Sequence, residues 1–213
     1  MKWAVPALAV STTPPAFAAS NTAGVYNTGW RIYGETRCDA STGTNWGYVG
    51  NLNDVGIQDA PQGFSVVDAS ENSDSPVTNA TITNLQMIIA LPENLINANY
   101  LANPFFFGAN SNTMGDWELA SSQRVWSNTL DTNLIEYRFD WVGATTSPTV
   151  EYGTPPESWP GSQFEMSFRR PPITNGYCPP GATAFFGGYS GDVSVESGTL
   201  LGGFDGAVYT EMH

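Results

Sequence analysis

Two stretches of the chain alternate apolar and polar side chains with a period of two. That spacing sends successive side chains to opposite faces of a strand. In residues 134–141, Ile135, Tyr137, Phe139 and Trp141 share one face, and Glu136, Arg138 and Asp140 take the other. In residues 164–170, Phe164, Met166 and Phe168 oppose Glu165, Ser167 and Arg169. Each pattern predicts a strand with one buried and one wet face, as in antiparallel sandwiches. Residues 81–91 alternate as well. Thr83, Leu85, Met87, Ile89 and Leu91 fall on one side, Asn84 and Gln86 on the other, and Pro92 ends the run. Shorter strands are predicted at residues 63–68, 183–186 and 192–196, the last two parted by Gly187-Gly188. Phe105-Phe106-Phe107 is an apolar run that must be buried or paired. Helical periodicity is weak everywhere, and residues 92–101 have room for one or two turns at most. Residues 19–46 are rich in Gly, Asn and Thr with spaced aromatics, and residues 19–62 read as an irregular segment. Residues 145–160, rich in Pro, Gly and Ser, read as a long surface loop.

These elements predict an all-β protein: a single antiparallel β-sandwich, Ig-like or jelly-roll-like, over residues 19–213. Composition agrees with it. Hydrophobic residues at 41% can fill a core, while 22 Gly and 15 Pro cut the chain into short segments.

Three local sequences add a likeness. They are Asn84-Leu85-Gln86-Met87-Ile88-Ile89-Ala90-Leu91-Pro92, Gly115-Asp116-Trp117-Glu118-Leu119 and Pro160-Gly161-Ser162-Gln163-Phe164. A strand ending in Leu-Pro, an isolated Gly-x-Trp and a Pro-Gly turn before a strand occur in this order. In these features residues 78–171 resemble the Ig-like sandwich domains of bacterial, especially actinobacterial, surface proteins. The resemblance implies an exported structural or adhesive module, and it brings no catalytic residues with it.

The N-terminus points the same way. Lys2 precedes the apolar residues 3–10, and Ala16-Phe17-Ala18 has the small-x-small form of a signal-peptidase site, so residues 1–18 are predicted to be a secretory signal peptide. No apolar stretch approaches the roughly 20 residues that a membrane-spanning helix needs, so no membrane insertion is expected. In an oxidising compartment the two cysteines, Cys38 and Cys178, are expected to form one disulfide. A bond from an early to a late segment fits one domain more easily than two.

Charge and residue usage narrow the chemistry. The net charge of -13 disfavours contact with nucleic acid and with anionic lipid. Lys2 is the only lysine and His213 the only histidine. A His-based triad, a His-ligated zinc and a lysine Schiff base therefore lack their key residue. Removal of the signal peptide leaves no lysine for isopeptide or sortase crosslinks. Carboxylates and aromatic rings remain.

Three kinds of site use those groups. Glycoside hydrolysis needs two carboxylates beside sugar-binding rings, and Glu136 with Glu165 is the best pair. Glu151 and Glu196 are weaker candidates, and the plainer role for Glu136 and Glu165 is pairing with Arg138 and Arg169. Carbohydrate contact without hydrolysis needs exposed rings. Trp30, Tyr33, Trp46, Tyr48 and Trp159 sit in loop-like contexts that suit it, unless they cap the ends of the sandwich. Asp68, Glu71 and Asp74 group oxygen ligands that calcium could use, or are simply solvated. No other cofactor is expected. The leading expectation is a non-catalytic secreted or cell-surface protein, acting as a structural, adhesion or carbohydrate-contacting module on an extracellular glycan or protein surface. A secreted glycoside hydrolase comes second. A subunit that self-assembles through edge strands comes third.

Overall fold

In the computed structural model the alternation seen in the sequence sorts side chains into a core and two outer faces. The structure describes residues 25–30, 32–50, 64–68, 80–106, 114–146, 159, 161–181, 185–195, 199–200 and 206–210. The strands are β1 (Val25–Trp30), β2 (Tyr33–Asp39), β3 (Thr44–Gly50), β4 (Phe64–Asp68), β5 (Ala80–Pro92) and β6 (Phe105–Phe106). They continue with β7 (Trp117–Ser127), β8 (Thr132–Trp141), β9 (Glu165–Phe168), β10 (Phe185–Val195), β11 (Thr199–Leu200) and β12 (Gly206–Thr210). Two single 3-10 turns, Glu93–Leu95 and Ala98–Tyr100, lie between β5 and β6, and no α-helix occurs among the described residues. The predicted signal peptide, residues 1–18, lies outside the described residues.

Two larger sheets build the sandwich. One has five strands in the order β12-β10-β5-β8-β7, and the other has four in the order β2-β3-β9-β6. Every pairing within them is antiparallel. β1 pairs with β4 antiparallel and with β11 parallel in a third, smaller sheet. The inner faces of the two larger sheets meet. Phe105 of β6 sets its ring edge-on to Tyr137 and Phe139 of β8, with centroids 4.9 and 5.5 Å away. Met87 and Ile89 of β5, Tyr137 and Phe139 of β8, Val49 of β3 and Met166 and Phe168 of β9 belong to one buried cluster. The fold is an all-β antiparallel sandwich with one disulfide, as the alternation predicts.

The disulfide joins Cys38 on β2 to Cys178, 140 residues later, with Cα atoms 5.8 Å apart. The segment around Cys178 is held at further points. Arg170 is buried and donates to the carbonyls of Pro179 and Pro180, and Asn45 donates to the carbonyl of Pro171. Burial lowers the pKa of the Arg170 guanidinium from its ordinary value.

Three local expectations are corrected. In β5, Ile82 is buried and Thr83 is exposed, the reverse of the predicted order. The pairing of β5 with β10 slips between Ser190 and Asp192, and Asn84 takes a φ of 53°. One extra residue at this bulge moves everything before it to the opposite face. The two short strands predicted around Gly187-Gly188 are a single strand, β10. Gly187 lets Ile32 approach, since a Cβ there would meet the Ile32 side chain at 3.0 Å. Residues 19–62 are not irregular throughout: β1, β2 and β3 fall within them, and β2 and β3 form half of the four-stranded sheet.

Candidate functional site

β3 is written in reverse of an ordinary half-buried strand. A Cβ added to Gly47 would enter the ring of Phe168, a fully buried core residue, so Gly47 faces inward. Val49 lies two residues on and is also buried. Trp46 and Tyr48 therefore point outward, and both are half-buried. Small residues sit inside to admit a large ring from the neighbouring strand, and large rings sit outside.

Register extends this outer face across the sheet. Glu35 of β2 lies opposite Tyr48, Tyr48 opposite Ser167 of β9, and Ser167 opposite Phe106 of β6. Arg37 lies opposite Trp46, and Asp39 opposite Thr44. The Tyr48 ring leans along the strand, because a side chain at Gly50 would meet its hydroxyl at 2.9 Å. One residue past β9, the Arg169 guanidinium lies over the rings of Tyr100 and Phe106, 4.5 and 5.0 Å from their centroids. Its Nη1 donates to the carbonyls of Pro104 and Phe105 at 3.4 and 3.1 Å. Its main chain accepts from Asn97 and donates to Pro104. Arg169 thus ties the 3-10 turn, β6 and β9 together and holds two rings beside the pair on β3. Tyr100 is 43% exposed.

A tight turn fixes the register of β2 and β3. The Asp39 carboxylate accepts from the Ser41 hydroxyl at 2.6 Å and the Ser41 amide at 2.9 Å. These bonds, the hydroxyl's first, hold the carboxyl below its ordinary value of 3.8. Gly43 supplies the φ of 72° that closes the turn.

The outer face of the five-stranded sheet is different. Glu136 of β8 pairs with Arg138 at 2.7 Å and accepts from Gln123 of β7 at 2.8 Å. Gln86 of β5 donates to Asp140 at 2.8 Å, and Asn84 donates to Asp192 at 2.9 Å. The polar groups here bond mainly to one another.

The sequence candidates separate on this frame. Trp46 and Tyr48 come together, two residues apart on one outer face. Trp159 does not join them: it is 1% exposed and lies in the core, so it offers no surface ring. For Trp30 and Tyr33 only the backbone is described, Trp30 paired with Phe64 and Tyr33 with Gly50. Glu136 and Glu165 are not brought together. They lie on different sheets, each on the side away from the shared core, because their neighbours Tyr137 and Met166 are buried in it. Two carboxylates that must flank one glycosidic bond cannot work from opposite outer faces. Glu151, Glu196, Glu71 and Asp74 lie outside the described residues, and Asp68 is seen as a backbone paired with Tyr26. Among the described residues no three His, Cys, Asp or Glu side chains are grouped to hold a metal ion.

The sequence does not single out Arg37, Tyr100 and Phe106 of this face, and it offers Arg169 only as an ion-pair partner of Glu165; among the described residues Glu136 pairs with Arg138 as expected and Glu165 does not pair with Arg169. A signal existed for Arg37 and Phe106. Glu35, Arg37 and Asp39 alternate with Thr36 and Cys38, and Phe105-Phe106 in a strand must send one ring to each side.

An antiparallel sandwich whose four-stranded sheet carries aromatic rings on its outer face is the class that these observations define. Comparison with known proteins adds no closer relation: no family model, no curated protein and no solved structure matches the chain. Among the described residues no helix is long and apolar enough to cross a membrane.

Proposed function

We propose that the chain is an exported, non-catalytic module that contacts extracellular carbohydrate through the outer face of its four-stranded sheet. The observation that carries this is the outward placement of Trp46 and Tyr48 on β3, two residues apart and half-buried. Side-by-side rings on a rigid strand offer flat apolar surface to the faces of sugar rings. Glu35, Ser167 and Glu165 share the face and supply acceptors and a hydroxyl for sugar hydroxyl groups. Phe106 and Tyr100, held by Arg169, widen the apolar strip. Export is supported by the predicted signal peptide and by a disulfide, a bond that persists in oxidising compartments. The likeness of residues 78–171 to Ig-like surface domains supports a cell-surface role.

The test is a calorimetric and tryptophan-fluorescence titration of the full chain with neutral and acidic oligosaccharides, repeated on Trp46→Ala. At least one sugar series is expected to bind, and Trp46→Ala to weaken it about tenfold or more, in line with the loss of one stacking ring. Lack of Trp46-dependent binding across the whole panel overturns the reading.

A further inference from the structure

The arginines of the described residues divide into two groups. Arg124 pairs with Glu93 and Arg138 with Glu136. Arg170 is buried against carbonyl groups. Arg37 and Arg169 differ from these: among the described residues no carboxylate lies within ion-pairing distance of either. Both stand on the outer face of the four-stranded sheet, in one cross-strand row. Arg37 is opposite Trp46 in the β2–β3 register. One step beyond the last β3–β9 pair, Gly47 with Phe168, the same register carries Arg169 to the other side of Trp46. With strands about 4.8 Å apart, the two arginine positions bracket Trp46 across roughly 10 Å. Arg169 uses Nη1 for carbonyls and its flat surface for two rings, so its Nη2 edge stays without a bond among the described residues. Arg37 is exposed.

Carbonyl and ring contacts account for the place of Arg169 in the fold, and they supply no counter-charge to either arginine. The chain has 20 Asp+Glu and 7 Lys+Arg, so acids are available to pair with almost any arginine. Two cations without an ion pair, Arg37 beside the outward indole and Arg169 with its guanidinium turned toward β6, are complementary to an anion supplied from outside. A guanidinium presents a planar fork of donors that fits a carboxylate. We infer that the carbohydrate bound by this face is acidic: a glycan whose sugar ring stacks at Trp46 and whose carboxylate bonds Arg37 or Arg169. Uronic acids and sialic acids are of this chemical class. The inference rests on the reading of the face as carbohydrate-binding.

The opposing charges set limits on the ligand. Glu35, Asp39 and Glu165 lie on the same face, and the chain as a whole carries -13. Glu35 and Asp39 stand two residues from Arg37, about 7 Å along the strand and inside the Debye length of about 8 Å at physiological ionic strength, so they weaken the attraction for any anion. The Asp39 carboxylate is tied into its turn by Ser41. Dense polyanions are repelled, while a glycan with spaced carboxylates can place one at an arginine.

The test uses matched pairs that differ in charge: hexagalacturonate and its methyl ester, sialyllactose and lactose, and hyaluronan and chitin oligosaccharides. Each is titrated calorimetrically into the disulfide-intact chain, Arg37→Gln, Arg169→Gln and Trp46→Ala. The carboxylated member of at least one pair is expected to bind tenfold or more tighter than its neutral partner. Arg37→Gln should remove about tenfold of the acidic sugar's affinity, the scale of one charge-assisted hydrogen bond, and leave the neutral sugar unchanged. The Arg37 side chain makes no hydrogen bond or ion pair to another described residue, and Arg37→Gln keeps its backbone pairing with Trp46, so the change does not threaten the fold. Trp46-dependent binding with no preference for acid overturns this inference and leaves the carbohydrate surface standing. An acid preference untouched in both arginine variants overturns it too. Lack of Trp46-dependent binding to any member removes the carbohydrate reading itself.

Discussion

The two outer faces of the sandwich share a core and are used in opposite ways. On the five-stranded sheet Glu136, Arg138 and Gln123 bond together, and Gln86 holds Asp140. Those groups satisfy each other and leave little to offer a ligand. On the four-stranded sheet Trp46, Tyr48 and Phe106 turn outward, and Arg37 and Arg169 make no ion pair among the described residues. The proposed binding surface rests on that difference. Chemistry that a face consumes internally is structure, and chemistry that it leaves open is available for binding.

The largest expected effect concerns the anchor of the open face. Cys38–Cys178 ties β2, an edge of the four-stranded sheet, to a segment 140 residues away. On the chain-entropy model, removing the bond costs up to about 5 kcal/mol. Guanidinium unfolding of Cys38→Ala/Cys178→Ala should show a loss of that order. Hydrogen exchange should quicken in β2 and β3 before β5 and β8. Equal and simultaneous loss of protection in both sheets would break the idea that the staple serves one face. Next in size is a contrast between two tryptophans. Trp159→Ala should destabilise by about 3–5 kcal/mol, because it empties a core position. Trp46→Ala should cost about 1 kcal/mol or less, as for a surface side chain away from special features. Thermal unfolding measures both. The reverse order would mean that β3 faces the other way and that the aromatic strip is core.

Where hydrophobic pattern and burial agree, the fold could be read from the sequence. β8 and β9 alternate as predicted, with Tyr137, Phe139, Met166 and Phe168 fully buried. β5 was correct from Leu85 onward and inverted before it, because a period-two rule has no means of seeing the extra residue at Asn84. β3 was missed altogether. Its inner positions are Asn45, Gly47 and Val49, and its outer ones are Thr44, Trp46 and Tyr48, so no apolar face stands out. Gly47 is small because Phe168 fills its place, a fact of the neighbouring strand that lies far away in sequence. That local failure and the candidate site coincide. A strand that puts rings outside and glycine inside violates ordinary patterning, and such violations are expected where a surface is kept for binding. Trp46 and Tyr48 were singled out for their residue type, and only the register showed that they share a face with Arg37, Phe106 and Arg169.

A smaller effect sharpens the other side of the comparison. Glu136→Gln keeps the shape of the side chain and removes its charge. The pair with Arg138 is partly solvated, with side-chain exposures of 37% for Arg138 and 17% for Glu136. The expected loss is about 0.5–1 kcal/mol in urea unfolding, typical of such a pair. Oligosaccharide affinity should stay unchanged, since Glu136 lies on the sheet away from Trp46. A fall in affinity in a fully folded Glu136→Gln protein would show that the two faces are coupled.

The smallest effect is a pH dependence of the β2–β3 turn. The Ser41 hydroxyl, then the Ser41 amide, bonds the Asp39 carboxylate and holds its pKa below 3.8. A carboxyl depressed in the folded state contributes stability that is complete above its unfolded value. That contribution fades as pH falls through the lower folded value. The turn should therefore hold its geometry down to about the ordinary carboxylate range and loosen only below 3.8. Because it sets the pairing of Arg37 with Trp46, acid should disturb amide shifts of residues 39–47 before those of β8. NMR titration of the Asp39 carboxyl and the Ser41 amide reads this directly. Ser41→Ala removes the hydroxyl's bond and should move Asp39 back toward 3.8 while leaving the amide bond in place. An Asp39 that titrates at or above 3.8 in the unaltered chain would show that the turn is not held by this carboxylate. The outward aim of Trp46 would then depend on sheet pairing and on the Phe168 ring beneath Gly47.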